Sequence, residues 1–419
     1  MLYWLGTAAF ALAILISVSL HELGHMITAK RFGMKVTQYF VGFGPTIFSF
    51  HRGETEYGLK AIPLGGFCKI VGMTPQDDDV LEEDQPRAMW RYPVWKRTIV
   101  MSAGSLTHFA LAVVAAWCAA VFVGLPNPDV PQTIQQQVAL PAQISVADCV
   151  QVVLSPQQEC KAGTGTDVAA PSAAAGLKTG DVITKVGDTP IRSYGQLTDV
   201  IRTAKAGPTT FEYLRDGQAG TATVNLIEAQ RPPLDNPDGP VTKVSVVGIG
   251  QNINMPSTVT YGPIDGIGAS LRYDWSLVEG SFVAMKRIPE KIPALWNSIT
   301  GDERDPNTPI SVIGASRLGG EAIERGVPEI FLLIFISLNV FIGIFNLLPL
   351  LPLDGGHIAI AWYERVRSWL YAKLHRPDPG RVDYFKLMPL TYVVILIGGA
   401  FTLLTATADV INPITIFSK

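Results

Sequence analysis

The sequence predicts a polytopic α-helical membrane protein with about four transmembrane helices and an inserted α+β domain. Of its 419 residues, 48% are hydrophobic and only 16% are charged, whereas soluble domains carry about 25% charged residues. Four segments are apolar over the roughly 20 residues that a membrane-spanning helix requires, and the long stretch between the second and third is not. The formal net charge of −3 gives no sign of a nucleic-acid-binding surface, so we expect no nucleic acid partner.

The predicted spans divide the chain into loops of unequal charge. Lys and Arg concentrate in the loops that follow the first and third spans, and the positive-inside rule places such loops in the cytoplasm. We therefore predict that both termini are extracytoplasmic. The predicted regions are transmembrane helix 1 (1–30), a cytoplasmic loop (31–97), transmembrane helix 2 (98–125), an extracytoplasmic region (126–254), an extracytoplasmic amphipathic helical region (255–326), transmembrane helix 3 (327–353), a cytoplasmic amphipathic segment (354–387) and transmembrane helix 4 (388–411).

The region 126–254 is expected to hold a small folded module at about residues 151–228. Short apolar strands surround one helical stretch, and residues 171–191 read PSAAAGLKTGDVITKVGDTPI. This pattern resembles the core signature of a bacterial PDZ domain, with another small β-rich module as the alternative. PDZ domains add extended peptides to a sheet edge and commonly capture a C-terminal carboxylate. The resemblance therefore implies peptide C-termini as partners.

Two amphipathic regions flank the third span. Region 255–326 mixes Trp, Phe and Leu with Lys and Arg, which suits helices resting on the outer membrane surface. A helical layer packed under the module is the alternative. Within segment 354–387, the piece His357–Leu374 has amphipathic spacing and is expected to lie on the inner surface. The lipid bilayer is thus a predicted partner of both.

Two histidines and a glutamate interrupt the first apolar span, in the sequence SVSLHELGHMITAK. His21 and His25 are four residues apart, so on a helix both rings face one side and can hold one zinc ion. Glu22 can reach a metal-bound water, whose pKa zinc lowers from about 15.7 towards about 7. Charged groups in lipid cost roughly 2.5–3.5 kcal/mol each, so a functional site is the natural interpretation.

Asp354, in the sequence FNLLPLLPLDGGHI, is the candidate third ligand. Zinc hydrolases use three protein ligands and leave one position for water. Spans one and three are predicted to run in the same direction, so His21 and Asp354 reach a similar depth. An interfacial Asp that caps the next helix is the alternative. The helix is expected to break at Pro349, Pro352, Gly355 and Gly356.

H-E-L-G-H in the first span, the PDZ-like insert and N-L-L-P-L-L-P-L-D-G-G together resemble the site-2 protease family of intramembrane zinc proteases. More narrowly, they resemble the bacterial branch that cleaves membrane-bound anti-sigma factors. The resemblance implies one zinc held by His21, His25 and Asp354, with Glu22 as catalytic base and Asn346 positioning the substrate strand. It also implies the bacterial inner membrane, and single-span substrates, such as anti-sigma factors, already trimmed on the outer side.

Two further segments extend the resemblance. VGFGPTIF (41–48) resembles the family's Gly-Phe-Gly-Pro segment, and EYGLKAIPLGGFCKIVGM (56–73) resembles its membrane-associated β-hairpin. A strand there could present its edge to an unwound substrate helix. An ordinary cytoplasmic hairpin is the alternative.

The second span departs from the family pattern. Where Gly-Pro-x-x-Asn is common, this chain has Gly104, Ser105, Leu106, Thr107 and His108. His108 could support a developing oxyanion, pair within the helix bundle, or bind metal. The first two interpretations are equally favoured over the third.

Three functions compete: a zinc protease acting within the membrane, a membrane-anchored PDZ scaffold with a structural or inactive metal site, and a metal transporter. Glu22 beside His21 favours the protease, because a structural zinc site is closed and needs no base. A transporter would more often show repeated halves, and none is visible in the sequence.

Cys149 and Cys160 are predicted to form a disulfide. Both fall in the predicted extracytoplasmic region, where disulfides are permitted. A strand and a Ser-Pro turn between them would let the chain return. Two unpaired thiols are the alternative.

Overall fold

The computed structural model describes residues 1–74, 80–131, 133–153, 160–163, 166–233 and 240–416. It divides into two compact units: Met1–Leu125 with Thr258–Lys419, and Pro126–Ser257. The helices are α1 (Leu2–Arg31), α2 (Val94–Phe122), α3 (Ile134–Ala139), α4 (Pro171–Ala174), α5 (Tyr194–Thr203), α6 (Asp265–Thr300), α7 (Val312–Glu324), α8 (Pro328–Asn346), α9 (Asp354–Lys373) and α10 (Met388–Ile411). The strands are β1 (Val36–Arg52), β2 (Thr55–Ile70), β3 (Leu125–Pro126), β4 (Ile144–Val146), β5 (Cys149–Gln151), β6 (Asp167–Ala169), β7 (Val182–Val186), β8 (Thr189–Pro190), β9 (Gly207–Arg215), β10 (Gln218–Arg231), β11 (Thr242–Val246), β12 (Ile249–Gln251) and β13 (Thr258–Val259).

The first unit is built on helices of membrane-spanning length. In the described chain, four helical segments are long and apolar enough to cross a bilayer: Leu2–Arg31, Val94–Phe122, Pro328–Asn346 and Tyr384–Ile411. Each overlaps one of the four predicted spans. The polytopic α-helical class is therefore confirmed.

Small side chains allow the spans to pack closely. Ala112 and Ala116 of α2 are buried against Ile336 and Val340 of α8, and such residues let helix backbones approach in a membrane. On the other side of the bundle, α7 packs on α1. A Cβ added to Gly320 of α7 would lie 2.7 Å from the Tyr3 carbonyl oxygen. This part of α7 therefore requires glycine.

The turn between α8 and α9 differs from its prediction. Span 3 was expected to run to Leu353, but α8 ends at Asn346 and a turn of residues 347–353 follows. Gly355 and Gly356 do not break a helix, since both lie in the first turn of α9. Their role is close packing, because a Cβ on Gly355 would lie 2.2 Å from the Leu347 carbonyl oxygen.

Strands β1 and β2 form a folded hairpin between the first two spans. The first part of β1 pairs with the last part of β2, as in Tyr39 with Cys68, and also with its beginning, as in Tyr39 with Tyr57. The GFGP segment is therefore part of the sheet. Residues 62–70 of β2 pair with β1 on one side and so form an edge. The hairpin exposes large apolar side chains: Phe43, Ile47, Phe48, Phe50, Leu59, Ile62 and Leu64.

Helices α6 and α7 account for region 255–326. α6 packs against α2 and α8, with Ala269 buried and Tyr273 and Leu277 packed in the same cluster. Both helices belong to the first unit. Their packing partners within this unit are membrane-length helices.

The second unit contains a five-stranded sheet in the order β11-β10-β9-β7-β8. Helix α5 covers it and buries Leu197 and Ile201. Ala142, Ile144 and Val247 lie in the same core, so the fold extends beyond the predicted residues 151–228. The sequence pattern missed these borders because β4 and β12, which pair with each other, are only three residues long.

An internal ion pair braces this sheet. Arg215 donates from Nε to Asp181 Oδ1 and from Nη2 to Oδ2, both at 2.7 Å, and the Lys178 backbone N–H donates to Oδ2 at 2.8 Å. Burial of Asp181 favours its neutral form, but these donors outweigh burial and lower the pKa of the carboxyl below its usual range. The carboxylate therefore stabilises the folded unit in its ionised form.

Candidate metal centre

Three predicted ligands come together where α1 meets the beginning of α9. His21 Nε2 and His25 Nε2 are 3.1 Å apart, and each lies 3.3 Å from Asp354 Oδ2. Among the described residues these three form a group that could hold a metal ion. The two histidines are buried and Asp354 is largely so.

The backbone around the centre fixes the orientation of the rings. His25 Nδ1 lies 2.7 Å from the Val100 carbonyl oxygen. Because a carbonyl can only accept a hydrogen bond, Nδ1 carries the proton and the Nε2 lone pair faces the centre. A backbone partner of this kind commonly orients histidine ligands.

Gly104 of α2 permits the close approach of both rings. A Cβ at this position would lie 2.4 Å from His21 Cε1 and 2.5 Å from His25 Nε2. Any side chain here would overlap the imidazoles. Sequence reasoning noted Gly104 as part of a departure from the family pattern and assigned it no role.

The donor set fits zinc. Two imidazole nitrogens and one carboxylate oxygen are ordinary zinc ligands at about 2.0–2.2 Å, which in a tetrahedral site places ligand atoms about 3.3–3.5 Å apart. The two separations of 3.3 Å to Asp354 Oδ2 match this spacing, and the 3.1 Å between the two imidazole nitrogens is slightly shorter. Asp354 Oδ2 is buried with no hydrogen-bond donor in the described chain. Such an oxygen is stabilised by a cation.

Glu22 lies beside the three ligands and against the hairpin. It follows His21 on α1 and is partly buried. A Cβ added to Gly66 of β2 would be 3.5 Å from Glu22 Cγ. The carboxylate therefore lies between the candidate metal ligands and the edge strand. Tyr39 ties the hairpin to α1 by donating to the Ser19 carbonyl oxygen at 2.7 Å.

His108 takes part in a polar network inside the bundle. Its Nδ1 lies 3.1 Å from Ser17 Oγ and 2.8 Å from Asn339 Oδ1, and Ser17 also donates to Asn339. The His108 and His21 ring centroids are 5.0 Å apart, and His108 is outside the three-residue group. This placement favours pairing within the bundle. Sequence reasoning missed Asn339, although an amide in the middle of an apolar span was the available signal.

Asn346 is the last residue of α8 and is partly buried. In the described chain its side chain makes no hydrogen bond. It does not join the group at His21, His25 and Asp354. Its predicted contact with a substrate strand stays a prediction.

A groove of about 1130 Å³ runs along α1 beside this site. Its walls include Ile14 and Val18 of α1, Leu64 and Gly65 of the hairpin, and Ile342 of α8. Val18 precedes His21 by one helical turn, and Gly65 adjoins the residue that faces Glu22. The groove therefore reaches the neighbourhood of the candidate metal centre.

The predicted cysteine pair lies in the second unit. Cys149 and Cys160 have Cα atoms 6.1 Å apart and their Sγ atoms are joined. Cys149 begins β5, which pairs with β6. Cys68 and Cys118 are free.

A buried pair of histidines and a carboxylate beside a glutamate, set among membrane-length helices, is the kind of site used by zinc hydrolases. The class defined by fold and site is therefore a membrane metallohydrolase. The chain belongs to peptidase family M50, the site-2 protease family, whose model matches residues 9–375. It is a zinc metalloendopeptidase and an integral membrane protein.

Similar proteins cover the whole chain. The zinc metalloprotease Rip1 of Mycolicibacterium smegmatis is 42% identical over 423 residues, covering 100% of both chains. The zinc metalloprotease Rip1 of Mycobacterium tuberculosis H37Rv is 41% identical over 417 residues, again covering 100% of both. A putative zinc metalloprotease of Mesorhizobium japonicum is 27% identical over 381 residues, covering 87% of this chain and 90% of its own.

Proposed function

We propose that the protein cleaves peptide bonds within the membrane, using zinc held by His21, His25 and Asp354 and Glu22 as the catalytic base. The observation that carries this proposal is the convergence of the three ligand atoms within 3.3 Å of one another. Glu22 follows directly in sequence and lies beside them. A structural zinc site would need no such base.

In the proposed mechanism, the protein positions the water, the substrate and one mobile proton. Zinc supplies Lewis acidity toward the attacking water and the scissile carbonyl. Glu22 would accept one proton from the water on a carboxylate oxygen as the water oxygen adds to the scissile carbonyl carbon, and would deliver that proton to the amide nitrogen as the C–N bond breaks. His25, held by the Val100 carbonyl, keeps a fixed tautomer while this occurs. The buried setting strengthens these interactions because the local dielectric is low.

The substrate is proposed to enter along the groove and to become extended beside β2. A transmembrane helix satisfies its own backbone hydrogen bonds, so part of it must unwind before an amide can be attacked. The edge formed by residues 62–70 can pair with the unwound segment. Leu64, 80% exposed, and Val18 offer apolar contacts to the remaining helix. Asn346 is proposed to position this strand.

We propose that the substrates are single-span membrane proteins. By family resemblance, the class we propose is anti-sigma factors that a first protease has already trimmed. This would place the enzyme in regulated intramembrane proteolysis.

The second unit is proposed to act as a PDZ domain that binds peptide C-termini and admits only shortened substrates. The proposed location is the bacterial inner membrane with both termini outside, as the distribution of Lys and Arg indicates.

Glu22→Gln tests the proposal. The amide is close in shape to the carboxylate but cannot act as a base, so cleavage of a transmembrane peptide by purified protein should fall by about 10²–10⁴. Zinc content should be unchanged. Glu83→Gln, an exposed change outside the site, is the matched control. If the Glu22→Gln protein cleaved the peptide as fast as the wild type, the cleavage would come from a contaminant. That result would favour a membrane-anchored PDZ scaffold.

A further inference from the structure

A second pocket, of about 560 Å³, lies where α2 begins. One wall is the segment leading into α2, another is α9, and the third is the chain that follows α9. Aromatic and basic side chains dominate the lining. Those that matter here are Trp90, Trp95, Arg97, Trp362, Arg365 and Arg381.

The acids of this pocket are already engaged. Glu364 accepts from Arg97 Nη1 at 3.3 Å and from the Val382 backbone N–H at 2.9 Å. Asp378 accepts from Ser368 Oγ and from the Gly380 backbone N–H, both at 3.0 Å. Three arginines and two carboxylates line the pocket, so the lining keeps one positive charge in excess.

The arginines, in contrast, keep unused donors. Arg97 is 6% exposed, and its buried Nε has no acceptor in the described chain. Arg365 is exposed and makes no ion pair with another described residue. Arg381 stacks on the Trp90 ring with 4.3 Å between its guanidinium carbon and the centroid, and donates to the Trp90 carbonyl. Because the arginines outnumber the carboxylates, the pocket presents excess positive charge and an unsatisfied buried donor, Arg97 Nε.

The position of the pocket indicates which kind of anion could bind to these arginines. It lies at the end of a candidate membrane span, and Trp95 and Trp362 are 53% and 48% exposed. Tryptophans of this kind occupy the membrane–water interface. Basic pockets between spans at this level bind anionic lipid head groups.

We propose that this pocket binds the phosphate of an anionic phospholipid. Arg97 and Arg365 would donate to the phosphate oxygens, with Arg381 held beside them by Trp90. Trp95 and Trp362 would contact the glycerol and the upper acyl chains. α2 also carries Gly104, and α9 begins at Asp354, so the lipid would join two helices that build the metal centre.

The test uses the full-length protein in nanodiscs of phosphatidylcholine and phosphatidylglycerol in equal parts. Native mass spectrometry then measures which lipids stay bound after release. We expect the wild type to retain phosphatidylglycerol. Arg365→Gln should weaken retention about fivefold, the effect of one basic residue beside anionic lipid, and Arg365→Lys should restore most of it. Arg376→Gln, exposed and outside the pocket, is the matched control and should change little.

Two results would overturn the proposal. One is equal phosphatidylglycerol retention by the wild type and the Arg365→Gln/Arg381→Gln protein; the other is an equal loss in Arg376→Gln. Zinc content measured on each variant confirms that it is folded. Inorganic phosphate titrated into protein in neutral detergent separates the two sources of phosphate. Binding of free phosphate with the same arginine dependence would assign a soluble ligand, and no binding would support the lipid.

Discussion

Gly104 illustrates how a residue without a side chain can control a metal centre. We predict that Gly104→Ala lowers zinc affinity by about 10–100-fold, the effect of disturbing the shell around a ligand, because its Cβ would lie 2.4 Å from His21 Cε1. Zinc content after dialysis against a chelator measures this loss. Gly398→Ala is the control, since a Cβ there meets open space on α10. Equal zinc retention by both variants would contradict the packing role.

The Asp181–Arg215 pair makes a pH-dependent contribution to the second unit. Because the folded pKa of Asp181 is lowered, its stabilisation is present above the unfolded pKa of about 3.9 and is lost as pH falls through the folded value. Asp181→Asn should destabilise the unit at neutral pH by about 2 kcal/mol. Hydrogen exchange of β7 and β9 amides in the full-length protein measures this. Exposed Asp188→Asn is the control, and equal protection in both variants would contradict the assignment.

The sequence predicts site residues best when they are close together along the chain. His21, Glu22 and His25 follow from helical periodicity because they share one helix. Asp354 required the relative direction of two spans. Gly104 and Asn339 could not be assigned roles, because their contacts exist only once α2 and α8 have packed against α1.

Among the elements, the hairpin lies against Glu22, and the α8–α9 turn leads directly into Asp354. Leu64 lines the groove, so we predict that Leu64→Asp reduces cleavage of a transmembrane peptide by about 100-fold, given roughly 2.5–3.5 kcal/mol for a charge in an apolar setting. Zinc content should not change. The assay is cleavage by purified protein in bicelles.

Leu59→Asp is the control that distinguishes an effect on the groove from an effect on contact between the hairpin and the membrane. Leu59 is also exposed on the hairpin but does not line the groove. A comparable loss in both variants would show that the hairpin acts through the bilayer rather than through the substrate.

The ends of helices were predicted well where an apolar run ends abruptly. They were predicted poorly where the packing of the backbone determines the last residue of the helix. α10 begins and ends at the predicted residues. α8 is shorter than its apolar run because Pro349 and Pro352 cannot continue the helix. Gly355 and Gly356 resemble helix breakers in sequence, yet they lie in α9 because its first turn packs on the preceding carbonyls.

For the molecule as a whole, the membrane topology determines whether each unit lies in a compartment that permits disulfides. If the second unit lies outside the cytoplasm, Cys149 and Cys160 should be linked in protein from intact cells, and closing the short loop should stabilise it by about 3 kcal/mol. Mass spectrometry of non-reduced peptides measures the link. Cys68 and Cys118 should alkylate after denaturation. Free thiols at both outer positions would contradict the bond and weaken the topology.

We expect His21, His25 and Asp354 to hold one catalytic zinc, and X-ray absorption at the zinc edge identifies the neighbours of that ion. The wild type should show only nitrogen and oxygen neighbours at about 2.0–2.2 Å, and Asp354→Ala should lower occupancy while Asp378→Ala, in the second pocket, leaves it unchanged. A sulfur neighbour, or full occupancy in Asp354→Ala, would contradict this set of ligands.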